Sequence, residues 1–291
     1  MEIPFSKMQG TGNDFVLIDG RTIQAGWAEL APSICDRHFG VGADGLLVVE
    51  ESGRAALQMR LFNADGSEAE MCGNGLRCVV KWALEQGGAV LRDGALAVET
   101  GAGVVSAVVT ATAADQSVER VRLSMGAPRL EPEEIPVCAD GPGPVMNLPI
   151  AVNGTELAVT CVSLGNPHAV HFVDGPLSAF ALERLGPLVE RHDRFPQRTN
   201  FEVVHVESPE RLHLRVWERG AGPTLACGSG AAAGMVAARL HGLVGERVTV
   251  SLPGGDLDLS WDGEGSVSLE GPAERVFEGQ WITDRTHDGH P

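Results

Sequence analysis

Two segments of the chain, RLFNADGSEAEMCGNGLRC at 60–78 and RVWERGAGPTLACGSGAAA at 215–233, align without a gap at an offset of 155 residues. Arg60 falls on Arg215, Phe62 on Trp217, Cys72 on Cys227, Gly73 on Gly228 and Gly75 on Gly230. The likeness continues outside them: GTGNDFVLID at 10–19 is similar to SLGNPHAVHFVD at 163–174, with Asn13 near Asn166. A repeat of this span in 291 residues restricts the chain to two similar α/β units, each with its own core.

Alternation and β-branched runs predict strands at 15–19, 46–51, 57–62, 104–112 and 118–125. A second set is predicted at 156–164, 168–174, 200–208, 211–218 and 246–252, with DLDLSW and SVSLE joined as a hairpin through Asp262-Gly263. Helices are expected at 27–38, at 178–191 and after each of the paired cysteines. In the first of those two, Leu76, Val79, Val80, Ala83 and Leu84 repeat at helical spacing and Gly87 is the stop. The second, GSGAAAGMVAARLHG, is small and apolar on almost every face, which predicts a buried helix inside a curved sheet. The Pro- and Gly-rich stretch 131–150 reads as an irregular connection.

With 39 acidic against 22 basic residues and a formal charge of −17, neither nucleic acid nor an anionic membrane surface is an expected partner. The N-terminal MEIPFSKMQG lacks the basic start and apolar core of a signal peptide, and no run reaches the roughly 20 apolar residues of a membrane span. A cytoplasmic location is therefore expected. The six cysteines include no C-x-x-C pair, so neither a disulfide framework nor a structural zinc site is expected.

FGVGADG at 39–45 contains the G-x-G-x-x-G spacing of a dinucleotide loop, but a helix is predicted before it and a strand after it. Phosphate binding needs the reverse order, so the glycines are expected to serve a tight turn. Cys72 and Cys227 are each followed by Gly, a polar residue and Gly, then a helix. A thiol at a helix N-terminus sits among unpaired N–H groups, which favour a thiolate and can also hold a carboxylate. One such cysteine alone is more simply a buried space-filler. Two at corresponding positions suit two-base chemistry, in which a thiolate removes a proton from one face of a carbon and a thiol delivers one to the other. That scheme calls for no cofactor and no metal.

These motifs, with KMQGTGNDFVLID at 7–19, SLGNPHAV at 163–170 and RTNFEVV at 198–204, resemble those of diaminopimelate epimerases, among the cofactor-independent two-cysteine racemases and epimerases. The resemblance runs from residue 7 to about 280. It implies an α/β (α+β) fold of two pseudo-symmetric domains, each a curved mixed or antiparallel sheet wrapped around a central helix, with substrate between them. On this chain the domains are expected at 1–118 plus 276–291 and at 119–275. The resemblance further implies that Cys72 and Cys227 are the acid/base pair, and that Gly73, Asn74, Gly228 and Ser229 donate to the substrate carboxylate at the reacting carbon. Asn13, Asn63, Asn166, Asn200, Glu218 and Arg219 match substrate-contacting positions, and His168 is a possible assisting residue. Their chemistry suits a diamino dicarboxylic acid: Arg219 can grip a carboxylate, Glu218 an ammonium, and the amides either. Three positions depart from the pattern: Gly45 replaces a glutamine of some members, Ser229 a commoner threonine, which leaves its N–H intact, and Phe277 a tyrosine at the expected homodimer contact.

Overall fold

A computed structural model describes residues 2–282, so Met1 and, of the stretch 276–291 expected in the first domain, residues 283–291 lie outside the described residues. The described residues form two compact units, 2–123 with 272–282 and 124–271. The first contains β1 (Glu2–Gly10), β2 (Asn13–Asp19), α1 (Trp27–Cys35), β3 (Gly45–Glu50), β4 (Leu57–Asn63), β5 (Glu68–Ala69), α2 (Gly73–Glu85), β6 (Ala95–Thr100), β7 (Gly103–Thr112) and β8 (Val118–Ser124). The second contains β9 (Leu148–Val152), β10 (Thr155–Ser163), β11 (Pro167–Phe172), α3 (Leu182–Glu190), β12 (Asn200–Ser208), β13 (Arg211–Glu218), β14 (Gly222–Thr224), α4 (Gly228–Leu240), β15 (Arg247–Leu252), β16 (Gly255–Ser260) and β17 (Ser268–Pro272). The chain then returns to the first unit with β18 (Glu274–Ile282).

Within the first unit β18, β1 and β2 pair antiparallel, β2 and β3 parallel, β3 and β4 antiparallel, and β4 carries both the short antiparallel β5 and the parallel β6. β6, β7 and β8 complete the sheet antiparallel. The second unit repeats this sequence of senses: β9, β10 and β11 antiparallel, β11 and β12 parallel, β12 and β13 antiparallel, β13 with antiparallel β14 and parallel β15, then β16 and β17 antiparallel. The 155-residue offset is therefore a repeat of topology. Helix α2 occupies the place of α4, and α1 that of α3.

Each sheet is covered on both faces, which explains why its middle strands are continuous apolar runs. In the first unit Phe15, Leu17, Leu47, Val49 and Met59 pack with Leu76, Val79 and Val80 of α2, whereas Val16, Ile18, Leu46 and Val48 pack with Ala31 and Ile34 of α1. In the second, Val170, Val204 and Leu214 lie with Ala231, Met235 and Val236 of α4, while Ala169, Phe201 and Val203 join Leu182, Leu185 and Val189 of α3. The small residues of α4 let the strands come close: a Cβ on Gly234 would lie 2.8 Å from Leu214 Cδ1. Helix α4 is buried from Gly230 to Ala238, as its all-round apolar sequence predicts.

Two predicted helices are shorter than expected. The first ends at Cys35 because Asp36 Oδ1 accepts the N–H groups of His38 and Phe39, both at 2.7 Å, and turns the chain. The segment 178–191 begins as a 3-10 turn at Leu177–Ala179; Phe180 is extended and packs on the rings of His171 and Phe201, so the α-helix starts only at Leu182. The stretch 131–150 is irregular over most of its length but ends in β9, with Ile135, Val137 and Val145 buried. In 39–45 the N–H groups of Val41 and Gly42 fold back onto Ile34 O, and Gly42 has φ +80°. The glycines thus close a turn on the end of α1.

Candidate active site

Each cysteine is the residue immediately before its helix. Cys72 and Cys227 both hold extended backbone, with φ −141° and −125°, and Gly73 and Gly228 open α2 and α4. The short strands β5 and β14, each turned back on the preceding long strand, deliver the chain to these N-termini.

In the first unit Cys72 is half-buried, and its Sγ lies 3.6 Å from Asn13 Oδ1. Asn74 Nδ2 approaches the same oxygen at 3.3 Å, while Asn13 Nδ2 donates to Asp44 Oδ2 at 2.6 Å. Asp44 also receives the Asp14 N–H and Arg37 Nη2. Arg37 and Lys7 both pair with Asp14, at 2.7 and 2.5 Å. Burial alone would raise the Asp14 carboxyl, but hydrogen bonds and charge from Arg37 and Lys7 outweigh it and hold the group below its ordinary value. Beneath them the fully buried Arg77 of α2 donates to Thr11 Oγ1 and Pro272 O, anchoring the β1–β2 turn that carries Asn13. Burial brings its guanidinium down to about 10. Asn63 lies at the exposed end of β4, donating to Ser67 Oγ at 2.9 Å. Gly45 opens β3 in a tight place, where a Cβ would meet Phe62 O at 2.9 Å.

In the second unit Cys227 is buried and its sulfur caps α4, accepting the Gly230 N–H at 3.4 Å, with Ser229 Oγ at 3.5 Å. Burial, then the Glu218 and Glu202 carboxylates, push this thiol well above its ordinary value, against smaller opposing effects of Ser229 and the Gly230 N–H. It therefore rests protonated at neutral pH. Glu218, at the end of β13, accepts from Thr224 Oγ1 at 2.5 Å. Asn200 is buried and both ends of its amide are engaged: Nδ2 donates to Pro167 O at 2.8 Å and Oδ1 receives the Arg219 N–H at 2.9 Å. It thereby braces the Glu218–Arg219 turn. The Arg219 side chain is exposed and donates to Gln197 O.

His168 is fully buried, with Nδ1 2.7 Å from Glu202 Oε1 and Nε2 2.9 Å from Asn166 Oδ1. Glu202, Asp44 and Arg77 escaped the sequence reading. Asp44 sits inside a glycine turn, and Glu202 is a lone acid in the strand NFEVV. Only the parallel register of β11 and β12, with His168 opposite Asn200, reveals that Glu202 meets His168.

A sequence profile described as diaminopimelate epimerase matches residues 5–131 and 160–276. Among curated relatives, the diaminopimelate epimerase of Pelotomaculum thermopropionicum is 47% identical over 280 residues, covering 95% of this chain and 98% of its own. That of Desulfitobacterium hafniense is 47% identical over 282 residues, covering 96% and 98%. A probable proline racemase from Agrobacterium radiobacter has the same fold, with a TM-score of 0.73 at 16% identity over 98% of this chain and 94% of that one. So has a PhzF-family phenazine biosynthesis protein from Bacillus anthracis, with a TM-score of 0.69 at 16% identity over 97% and 99%. Matched by the family profile over most of its length and nearly half identical to curated members, the chain belongs to the diaminopimelate epimerase family.

Proposed function

We propose that this protein interconverts LL-2,6-diaminopimelate and meso-diaminopimelate, by proton transfer at one α-carbon between two thiols. The observation that carries the proposal is the pair of N-cap cysteines, Cys72 and Cys227, at matching places in a repeated topology. One thiolate removes the α-proton and the other cysteine's thiol protonates the opposite face, so the configuration inverts and the two groups exchange roles for the reverse reaction. The Cys227 thiol, raised by burial and by Glu218 and Glu202, is the resting acid of the pair. Negative charge developing next to the substrate carboxylate is stabilised by the N–H groups of Gly73, Asn74, Gly228 and Ser229 at the two helix N-termini.

At the other end of the substrate, Glu218 takes the ammonium and Arg219 the carboxylate, with Asn63 and Asn166 as further contacts. Asn13 faces Cys72 with a carbonyl oxygen, suited to the ammonium at the reacting carbon. Asn200 serves by holding the Arg219 turn. The reaction needs neither pyridoxal phosphate nor a metal, and supplies lysine and peptidoglycan precursors in the cytoplasm. The enzyme works as a homodimer; Phe277, 46% exposed on β18 beside Phe5, stands at the expected contact.

The test is incubation with LL-diaminopimelate in deuterated water. Meso product carrying deuterium at the inverted α-carbon is the expected result, and absence of both product and label would reject the activity. Proline and hydroxyproline belong in the same panel, because the fold is shared with a probable proline racemase. Turnover of a ring substrate in place of the diamino acid would move the assignment to that class.

A further inference from the structure

The asparagine ahead of each helix-facing strand residue has an amide fixed by its neighbours. Asn13 is held by its nitrogen, on Asp44, and shows its oxygen toward Cys72. Asn166 is held by its oxygen, on His168 Nε2, and its Nδ2 has no hydrogen-bond partner among the described residues.

For Nε2 to donate to Asn166 it must carry a proton, yet Nδ1 of the same ring also faces an oxygen, Glu202 Oε1. A neutral imidazole has one N–H. Satisfying both contacts requires a second proton, held either as imidazolium beside carboxylate or as neutral imidazole beside a protonated Glu202. Both side chains are 0% exposed, and Glu202 Oε2 has no hydrogen-bond partner among the described residues. A pair without that proton would leave a net negative charge buried and half-satisfied. Burial raises the Glu202 carboxyl, in the sense that keeps the proton on the pair. The titratable groups facing Glu202 are His168 from β11, Glu218 from β13, Cys227 at the start of α4 and Cys161 from β10. Of these only His168 can neutralise it.

The arrangement exists in one unit alone. A Cβ on Gly230 would lie 2.8 Å from Glu202 Oε1; the matching Gly75 meets Leu47 at 3.0 Å and Phe15 at 3.5 Å. Apolar residues occupy in the first repeat the places of the pair in the second.

We propose that Glu202 is a positioning residue: it shares one proton with His168, and that proton fixes the Asn166 amide so that Nδ2 donates to an anionic group of the ligand. When the pair loses the proton, Nε2 becomes an acceptor, the Asn166 amide turns over, and a carbonyl replaces the donor. The identity of that ligand, a substrate carboxylate, rests on the function proposed above.

The experiment compares wild-type protein with Glu202→Gln and Glu202→Leu. Glutamine can donate to His168 Nδ1, which keeps the proton on Nε2 without a titratable group. Leucine, the residue at the matching place in the first unit, leaves the ring free. In wild type, KM for LL-diaminopimelate is expected to rise roughly ten- to a hundred-fold on passing to alkaline pH, the loss of one hydrogen bond to a charged group, with kcat changing much less. Glu202→Gln should flatten that dependence, and Glu202→Leu should raise KM at every pH, with glutamine restoring most of what leucine loses. An unaltered KM–pH profile in Glu202→Gln, or a loss confined to kcat in Glu202→Leu, overturns the proposal. Long-range 15N–1H spectra of the His168 ring provide a readout independent of turnover. Nε2 should be protonated at neutral pH in wild type and in Glu202→Gln, and lose its proton at alkaline pH in wild type only. An unprotonated Nε2 in neutral wild-type protein overturns the inference even if the protein epimerises diaminopimelate. A protonated one supports it even if that activity is absent.

Discussion

Asn13 and Asn166 occupy matching positions in the two repeats, yet their amides are held by opposite ends: Asn13 by its nitrogen on Asp44, Asn166 by its oxygen on His168. One half of the repeat therefore presents an acceptor and the other a donor. The cysteines differ in the same way. Cys72 lies half-buried against an amide oxygen, whereas Cys227 is buried, caps its helix and is surrounded by acids. The duplicated scaffold has diverged at these contacts.

Cys72→Ala and Cys227→Ala are each expected to lose interconversion by roughly 10²–10⁴-fold, the range removed with a general acid or base. Circular dichroism should stay near wild type in both, and the unfolding midpoint in Cys72→Ala, whereas Cys227→Ala also removes the sulfur that caps α4 and should cost about 0.5–2 kcal/mol of stability. Full activity in either folded variant would show that the cysteine does not transfer the proton.

The order of elements was legible because the repeat is, and α2 and α4 because Leu76, Val79 and Val80, or the run AAAGMVAA, have no other economical placement. Strand β1 was missed because Ser6 and Lys7 interrupt its pattern, yet both are buried. Lys7 is tolerated inside by pairing with Asp14 across the β1–β2 turn and donating to Gly42 O, partners that a single strand cannot disclose. Strand β18 is almost wholly exposed, so ERVFEGQWI carries little burial pattern; its pairing with β1 makes it a strand. Among site residues, the cysteines and glycines were readable from local chemistry. Glu202 and Asp44 were not, because their roles depend on neighbours 34 and 31 residues away.

Alkylation of the native protein should separate the thiols. Cys138 is exposed and Cys72 half-buried, so both should react. Burial pushes Cys35 up to about 11 and Cys78 and Cys161 up to about 12, and these should stay unmodified near neutral pH until the protein is unfolded. Cys227, buried and raised, should react more slowly than Cys72. Peptide mapping after limited iodoacetamide treatment checks the order, and early modification of Cys78 or Cys161 would contradict it.

Asp14 links acid stability to the platform under Asn13. Because Arg37 and Lys7 hold its carboxyl below 3.8, the stability it contributes is fully present above that value and is lost as pH falls through the lower folded value. Asp14→Asn should remove that acid-side loss while costing about 2–3 kcal/mol at neutral pH, since the buried Lys7 loses its charged partner. Urea unfolding at neutral and acid pH measures both effects. Parallel curves for variant and wild type would show that the cluster carries no linked stability.

Gly230→Ala tests how closely α4 is seated on the pair beneath it. The added Cβ would lie 2.8 Å from Glu202 Oε1 and 3.3–3.4 Å from Cys227 Cβ and Sγ. Neither neighbour can withdraw easily: Glu202 is fixed by His168, and Cys227 is fixed as the helix cap. The expected cost is about 1–3 kcal/mol of stability, as for an added methyl in a filled core. The proposed epimerase activity should fall further than stability does, because the methyl displaces the thiol and the carboxylate together. Gly234→Ala is the control, being equally tight but against Leu214 Cδ1 at 2.8 Å, away from both groups. If the two variants lose stability and activity in the same proportion, the effect at 230 is ordinary overpacking. If Gly230→Ala alone loses turnover beyond its loss of fold, the seating of α4 on Glu202 is part of the site.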